Sequence, residues 1–412
     1  MRKITTVRRL VLTALSGSLF VNAGAARAET TNVLDLSAGL GFSTNPNTGN
    51  NSSGSGFGRI SAYGTHSWRN ERTTASIHGF VENTLYWNNH HGSQSIFTVG
   101  ANTAFTASPT VSLYGNLDFF GDIAGQLSNR LISVPSGPPV TDPNNPLPPP
   151  STAPDIFGFR GHQYRVSGQG GASIRSSELS TITLTAGAGH TWYTGNPHAD
   201  YTTYHGSVGY SRQISERTSI GPTVYLVYQD FQGGDATTII NPALSANTRL
   251  SDTVTASGAV GVIVVNQDFA GHNDSSVSPS FSASICGHGV LSSICAHFAH
   301  DAQSAINDRV LNSTSRGAVT TTADLSYYRQ LSASGTLQAT LYATHYSSSS
   351  SLLNQDLKST YASAVLGYDR GIGHRLFAGI TGGVRKVFQT GPDPSVDFNA
   401  NIYLRYRIGD LK

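Results

Sequence analysis

Between Val396 and Gly409 the chain reads VDFNANIYLRYRIG, and this stretch decides the fold. Phe398, Ala400, Ile402, Leu404, Tyr406 and Ile408 alternate with Asn399, Asn401, Tyr403, Arg405 and Arg407. Successive side chains of an extended strand point to opposite faces, so strict alternation describes a strand that is apolar on one side and polar on the other. The pattern recurs near the beginning, where Leu34, Leu36, Ala38, Leu40 and Phe42 oppose Asp35, Ser37, Gly39 and Gly41. It returns at Val111, Leu113, Leu117 and Phe119, which oppose Ser112, Tyr114, Asn116 and Asp118.

Working outward from these, alternation predicts strands at 33–43, 57–68, 73–87, 94–107, 110–122, 162–175, 179–193, 200–213 and 217–231. It predicts nine more at 238–250, 253–267, 276–287, 290–300, 314–329, 334–348, 358–371, 374–388 and 396–409. The segments 238–250 and 290–300 alternate least, and without them the count falls to sixteen. Short turns, such as Arg69–Arg72, Ser108-Pro109, Ile214–Glu216 and Ile372-Gly373, regularly exchange with longer loops rich in Gly, Asn, Ser and Pro. An even strand count with short turns on one rim and long loops on the other is the layout of an outer-membrane barrel. The expected fold is all-β: a transmembrane, antiparallel, up-and-down β-barrel with short periplasmic turns and long extracellular loops.

Composition agrees. Only 12% of residues are charged, while Gly reaches 44 and Tyr 18. So low a charge without a long apolar helix leaves a disordered chain, a β-solenoid or a barrel. Solenoids need repeats of constant length, which these spacings are not. Disorder does not fit the regular alternation and the aromatics. In lipid every backbone N–H and C=O must be paired internally, so a β-protein there must close its sheet. Only alternate residues then face lipid, which dilutes the apolar signal by half.

Residues 1–28 carry a basic start (Arg2, Lys3, Arg8, Arg9), the apolar run Leu10–Val21 and Ala26-Arg27-Ala28, the features of a cleaved secretory signal. The formal charge of +2 includes five cations of that segment; residues 29–412 hold 21 Lys and Arg against 24 Asp and Glu, a charge of −3. That balance predicts no nucleic-acid partner. Trp68, Trp87 and Trp192 each fall at the end of a predicted strand on its apolar face, where an aromatic girdle meets the membrane–water boundary.

The segment Ser282–Cys295 (SASICGHGVLSSIC) and the turn phrases Arg212-Gln-Ile-Ser-Glu-Arg-Thr, Arg249-Leu-Ser-Asp-Thr and Tyr328-Arg-Gln-Leu-Ser-Ala-Ser resemble the bacterial outer-membrane beta-barrel porin family of the second type. The resemblance implies an outer-membrane barrel without catalytic residues, in a family associated with envelope polysaccharide. The chain departs from many such barrels in ending Ile408-Gly-Asp-Leu-Lys412 rather than on the Phe or Trp that barrel-assembly machinery reads; Tyr403 and Tyr406 are the internal candidates for that signal.

Cys286 and Cys295 are the only cysteines, both on polar strand faces. They oppose one another if the hairpin is centred between Val290 and Leu291, whereas the glycines predict a turn at Gly287–Gly289. In an oxidising compartment a structural disulfide is the expectation, two unpaired thiols the alternative. The connection 124–161 holds nine of 17 prolines and is either an inward-folded constriction or an exposed surface loop. The pore-lining candidates are Asp35, Glu82 and Asp118 on the first five strands, and Arg375, Arg385, Tyr403, Arg405 and Arg407 on the last two. Closure brings the last strand to the first, so these charges either form salt bridges that rigidify the wall or face one another across water and set ion preference.

No metal site and no cofactor are expected. His90-His91 has no third ligand, and His297 and His300 fall on opposite faces of a strand. His190 and His205 lie near the outer ends of neighbouring strands without a nucleophile and orienting acid, so no enzyme is expected. The partners expected are outer-membrane lipid and lipopolysaccharide, the barrel-assembly machinery during insertion, and small hydrophilic solutes diffusing through a porin-like channel. Polysaccharide export or surface handling is the alternative, and a closed structural or adhesive barrel a third.

Overall fold

A computed structural model describes residues 29–46, 53–88, 93–122, 163–194, 200–232, 235–269, 272–303, 315–350, 355–389 and 395–409. The proposed signal segment 1–28, the Pro-rich connection 124–161 and His90-His91 lie outside the described residues. Among the described residues the regular structure is eighteen strands, so the sixteen-strand alternative is set aside. The first six are β1 (Glu29–Ser43), β2 (Ser55–Arg69), β3 (Thr73–Tyr86), β4 (Ser93–Ser108), β5 (Val111–Asp122) and β6 (Gln163–Ser177). Then follow β7 (Ser180–Tyr193), β8 (Tyr201–Ser215), β9 (Thr218–Phe231), β10 (Ala236–Arg249), β11 (Val254–Phe269) and β12 (His272–His288). The last are β13 (Ser292–Gln303), β14 (Ser315–Ser332), β15 (Gly335–Ser350), β16 (Gln355–Gly371), β17 (Leu376–Gln389) and β18 (Asp397–Gly409).

Every strand pairs antiparallel with its sequence neighbours, and β18 pairs β1 from Val33↔Gly409 to Ser43↔Asn399. That last pairing closes the sheet into a barrel and removes both edges. Alternation becomes inside and outside. Leu40, Ile60, Val260, Leu366 and Ile402 are exposed on the outer face, while Asp35, Arg385 and Asp397 are buried on the inner one.

The turns explain the serine phrases noticed in the sequence. At Ser108, Ser177, Ser215, Ser251 and Ser332 the hydroxyl accepts a hydrogen bond from the backbone N–H two residues on, each at 3.3 Å. Asn70 does the same for β2–β3, accepting from the N–H groups of Arg72 and Thr73 at 2.9 and 2.6 Å. Ser and Asn side chains mimic a backbone turn in this way, so the reversal needs few residues.

Two boundaries move. The turn expected at Gly287–Gly289 lies at 289–291, because β12 continues to His288. Backbone pairing outweighs the permissiveness of Gly287, which stays in register opposite Ile294. Trp87 falls just beyond β3, with its N–H donating to the Gly56 carbonyl at 2.9 Å and its indole lying over Gly56.

The closing seam is tied at the long-loop end. Asp397 is fully buried; its Oδ1 accepts from Ser43 Oγ at 2.7 Å and Asn45 N at 2.8 Å, and Oδ2 pairs with Arg385 Nε at 2.7 Å. Arg385 Nη2 also donates to the Pro46 carbonyl at 3.0 Å, and Asn45 Nδ2 donates to Ser395. This network fastens the root of the β1–β2 loop to the β17–β18 hairpin.

Candidate functional site

The inner wall is the candidate site, and its chemistry follows from which inward side chains the register sets beside each other. At the short-turn half of the seam, β18 lies against β1 with Asp35 opposite Arg407. Asp35 Oδ1 accepts from Arg407 Nε at 2.7 Å; Oδ2 accepts from Arg407 Nη2 at 2.7 Å and Arg405 Nη1 at 3.2 Å. Arg405 also donates through Nη2 to Asp369 of β16 at 2.7 Å, and the Tyr403 hydroxyl donates to the same oxygen at 3.2 Å. The guanidinium of Arg405 sits 4.5 Å above the Phe377 ring. A forked donor between two carboxylates is a strongly directional arrangement.

Glu82 pairs with Arg59 at 3.5 Å, and Asp118 lies 3.7 Å from His78. Arg385 lines no water there; it is held by Asp397 in the buried seam network. Arg375 differs from expectation: β17 starts at Leu376, and Arg375 is exposed in the turn, where its carbonyl accepts from Arg407 N at 2.8 Å. Asp35, Glu82, Asp118, Arg385, Arg405 and Arg407 each lie within 4.0 Å of an oppositely charged or titratable partner on the wall, whereas among the described residues no such pair forms at Arg375.

Several inward rings lie flat. Tyr114 covers Gly171, His205 covers Gly187, Tyr403 covers Gly379 and His78 covers Gly100, each glycine being the residue directly opposite on the neighbouring strand. A Cβ at any of these glycines would meet the ring, so glycine lets the aromatic group lie along the wall instead of projecting into the lumen. The tryptophans face outward. Trp68 sits at the short-turn end of β2, and Trp192 at the long-loop end stacks on Tyr164 and Phe119 at 5.7 and 6.1 Å. His190 is outside and hydrogen-bonds Thr202, whereas His205 is inside and contacts Gln169. His297 is inside against Asp324, and His300 outside on Phe281.

One sector was not anticipated. Val227, Ile239, Ile263 and Val265 point inward yet form a cluster shut off from solvent, with Ile263 at 0% exposure. Cα atoms of β11 come within 8 Å of β13 and β14. In a flat sheet strands three apart would be roughly 14 Å apart, so the wall folds sharply here. The inner face of β12 permits it: Ser276, Ser278, Ser280, Ser282 and Ser284 are all small, and Ser280 Oγ donates to Asn241 Oδ1 at 3.0 Å across β11. The signal was present as the uninterrupted run Val262-Ile-Val-Val265, which describes a strand apolar on both faces.

No protein-family model and no curated protein matches this chain, so the family resemblance seen in its short motifs has no matching model behind it. Solved structures do match in outline. Pseudomonas aeruginosa OpdK, crystallised with vanillate, is similar at 11% identity and a TM-score of 0.46, covering 93% of this chain and 99% of that one. Pseudomonas aeruginosa OccK2 (OpdF), in complex with glucuronate, gives 10%, 0.45, 93% and 99%. Acinetobacter baumannii OccAB3 gives 8%, 0.44, 93% and 100%. Likeness at this level adds nothing about solutes to what the wall itself displays.

Proposed function

We propose that this chain is a porin-like channel of the bacterial outer membrane, through which small hydrophilic solutes diffuse. The observation that carries this is the closed eighteen-strand wall, apolar outside and hydrophilic over most of its inside. Barrels of sixteen to eighteen strands leave an aqueous channel, where eight would be filled by side chains. The apolar outer face is the surface a bilayer solvates, and Trp68 and Trp192 stand at its two borders. The short-turn rim, where β1 starts and β18 ends, is the periplasmic side in this reading. Segment 1–28 would direct export, and 124–161 would narrow the lumen.

Because Arg59, Arg385, Arg405 and Arg407 are shared among carboxylates, these parts of the wall offer hydrogen bonds and flat rings more than net charge. That suits neutral or weakly charged polar solutes. Planar-bilayer conductance of refolded 29–412, with and without residues 130–155, tests this. Conductance that scales with salt and rises on deletion is the expected outcome. Silence of both forms overturns it and leaves a structural barrel.

A further inference from the structure

Three side chains of ligand type meet at the short-turn end of the inner wall. The register of β12 and β13 sets Cys286 directly opposite Cys295, with Cα atoms 4.1 Å apart. His288 follows Cys286 by two positions in the same strand and therefore points to the same face. One ligand atom from each of the three lies within 4.8 Å of the other two. The two cysteines are joined as a disulfide. We infer that reducing Cys286–Cys295 converts this cluster into a Cys2His site for a thiophilic divalent cation, Zn2+ being the ion it suits.

The chemistry of the donor set carries this. Two thiolates and an imidazole are the ligands zinc takes in tetrahedral sites, and three protein ligands leave a fourth position for water. His288 is exposed, so solvent reaches that position. Zinc–sulfur bonds of about 2.3 Å at tetrahedral angles set the two sulfurs roughly 3.7 Å apart. Side-chain rotation reaches that spacing while both backbones stay in place, because Cys286 remains paired with Thr255 of β11 and Cys295 with Ser326 of β14. Here the ladder supplies a third ligand beside the two thiols.

A dithiol reductant gives two electrons to the Sγ–Sγ bond, which breaks; a disulfide forms in the reductant, and both cysteines take up a proton. Zn2+ then displaces the two thiol protons to solvent and accepts the imidazole lone pair of His288. The site does not depend on what passes through the lumen.

The experiment uses the refolded barrel, oxidised or reduced with a phosphine that is then removed, titrated with Co2+ alone as a spectroscopic stand-in for zinc. The reduced barrel should bind one Co2+ with a thiolate-to-cobalt charge-transfer band that Zn2+ abolishes, and the oxidised barrel should show none. His288→Ala should weaken binding by at least about tenfold, and Cys286→Ser should halve or remove the band. Heat-modifiable gel mobility reports the fold throughout. A reduced, folded barrel without the band overturns the inference, as does a His288→Ala variant that binds equally well. Unfolding of the barrel on reduction overturns it too, since the site then cannot form.

Discussion

At the seam between β18 and β1 the inner wall buries charge, whereas across β9, β10 and β11, beside the corner, it buries hydrocarbon. Both regions have inward side chains withdrawn from water, by opposite means. Asp397 and Arg385 are 0% and 4% exposed, form an ion pair with one another and are bonded by the Ser43–Pro46 backbone and hydroxyl groups. Ile263 is equally dry, surrounded by Val227, Ile239 and Val265 with serines at the fold of the wall. The difference teaches that the inner face of a barrel is not one environment. Strand parity sends a side chain inward, but local curvature and the loop roots decide whether water meets it there.

The comparison breaks most visibly at Arg385. Arg385→Ala leaves Asp397 buried without its cation, and the expected loss is about 3–5 kcal/mol in urea unfolding of the refolded barrel. A loss under about 1 kcal/mol would mean that water enters the seam. Next comes the corner, where Ile263→Ala removes packed methyl groups and should cost about 2–4 kcal/mol with conductance unchanged. Ser280→Leu probes the fold of the wall itself. Overpacking the inside of the bend should destabilise by about 1–3 kcal/mol, and a neutral result would mean that the corner has room to spare. The smallest effect is expected at Arg407, whose side chain is 25% exposed and whose partner Asp35 keeps Arg405. Arg407→Ala should cost about 1 kcal/mol or less. Its clearer readout is the zero-current potential across a salt gradient, which should move toward cation preference as one inner cation is lost.

Much of the fold was legible because parity is a local property of an extended chain. The phrase Asp397–Gly409 showed two faces without any knowledge of neighbours, and the Ser-led turns marked the short rim. Even the weak segment 238–250 became β10, since its alternation is diluted by inward Ile239 in the dry corner rather than lost. The candidate site was legible only as a list of inward residues. That Arg405 would bridge Asp35 and Asp369 depends on β16, β17, β18 and β1 lying side by side at one register. The glycines beneath Tyr114, His205 and Tyr403 were visible as composition but not as partners, because each pair spans two strands.

The sequence by itself determined a two-faced, antiparallel chain of sixteen or eighteen strands with its turns at alternate ends, because side-chain direction and turn chemistry are written within a few residues. Only the tertiary structure decided which inward positions are wet, which charges are shared, and that His288 joins the two cysteines. Those outcomes depend on cross-strand register and on how tightly the closed wall bends, and a single residue of slip or a rounder cross-section would change them all.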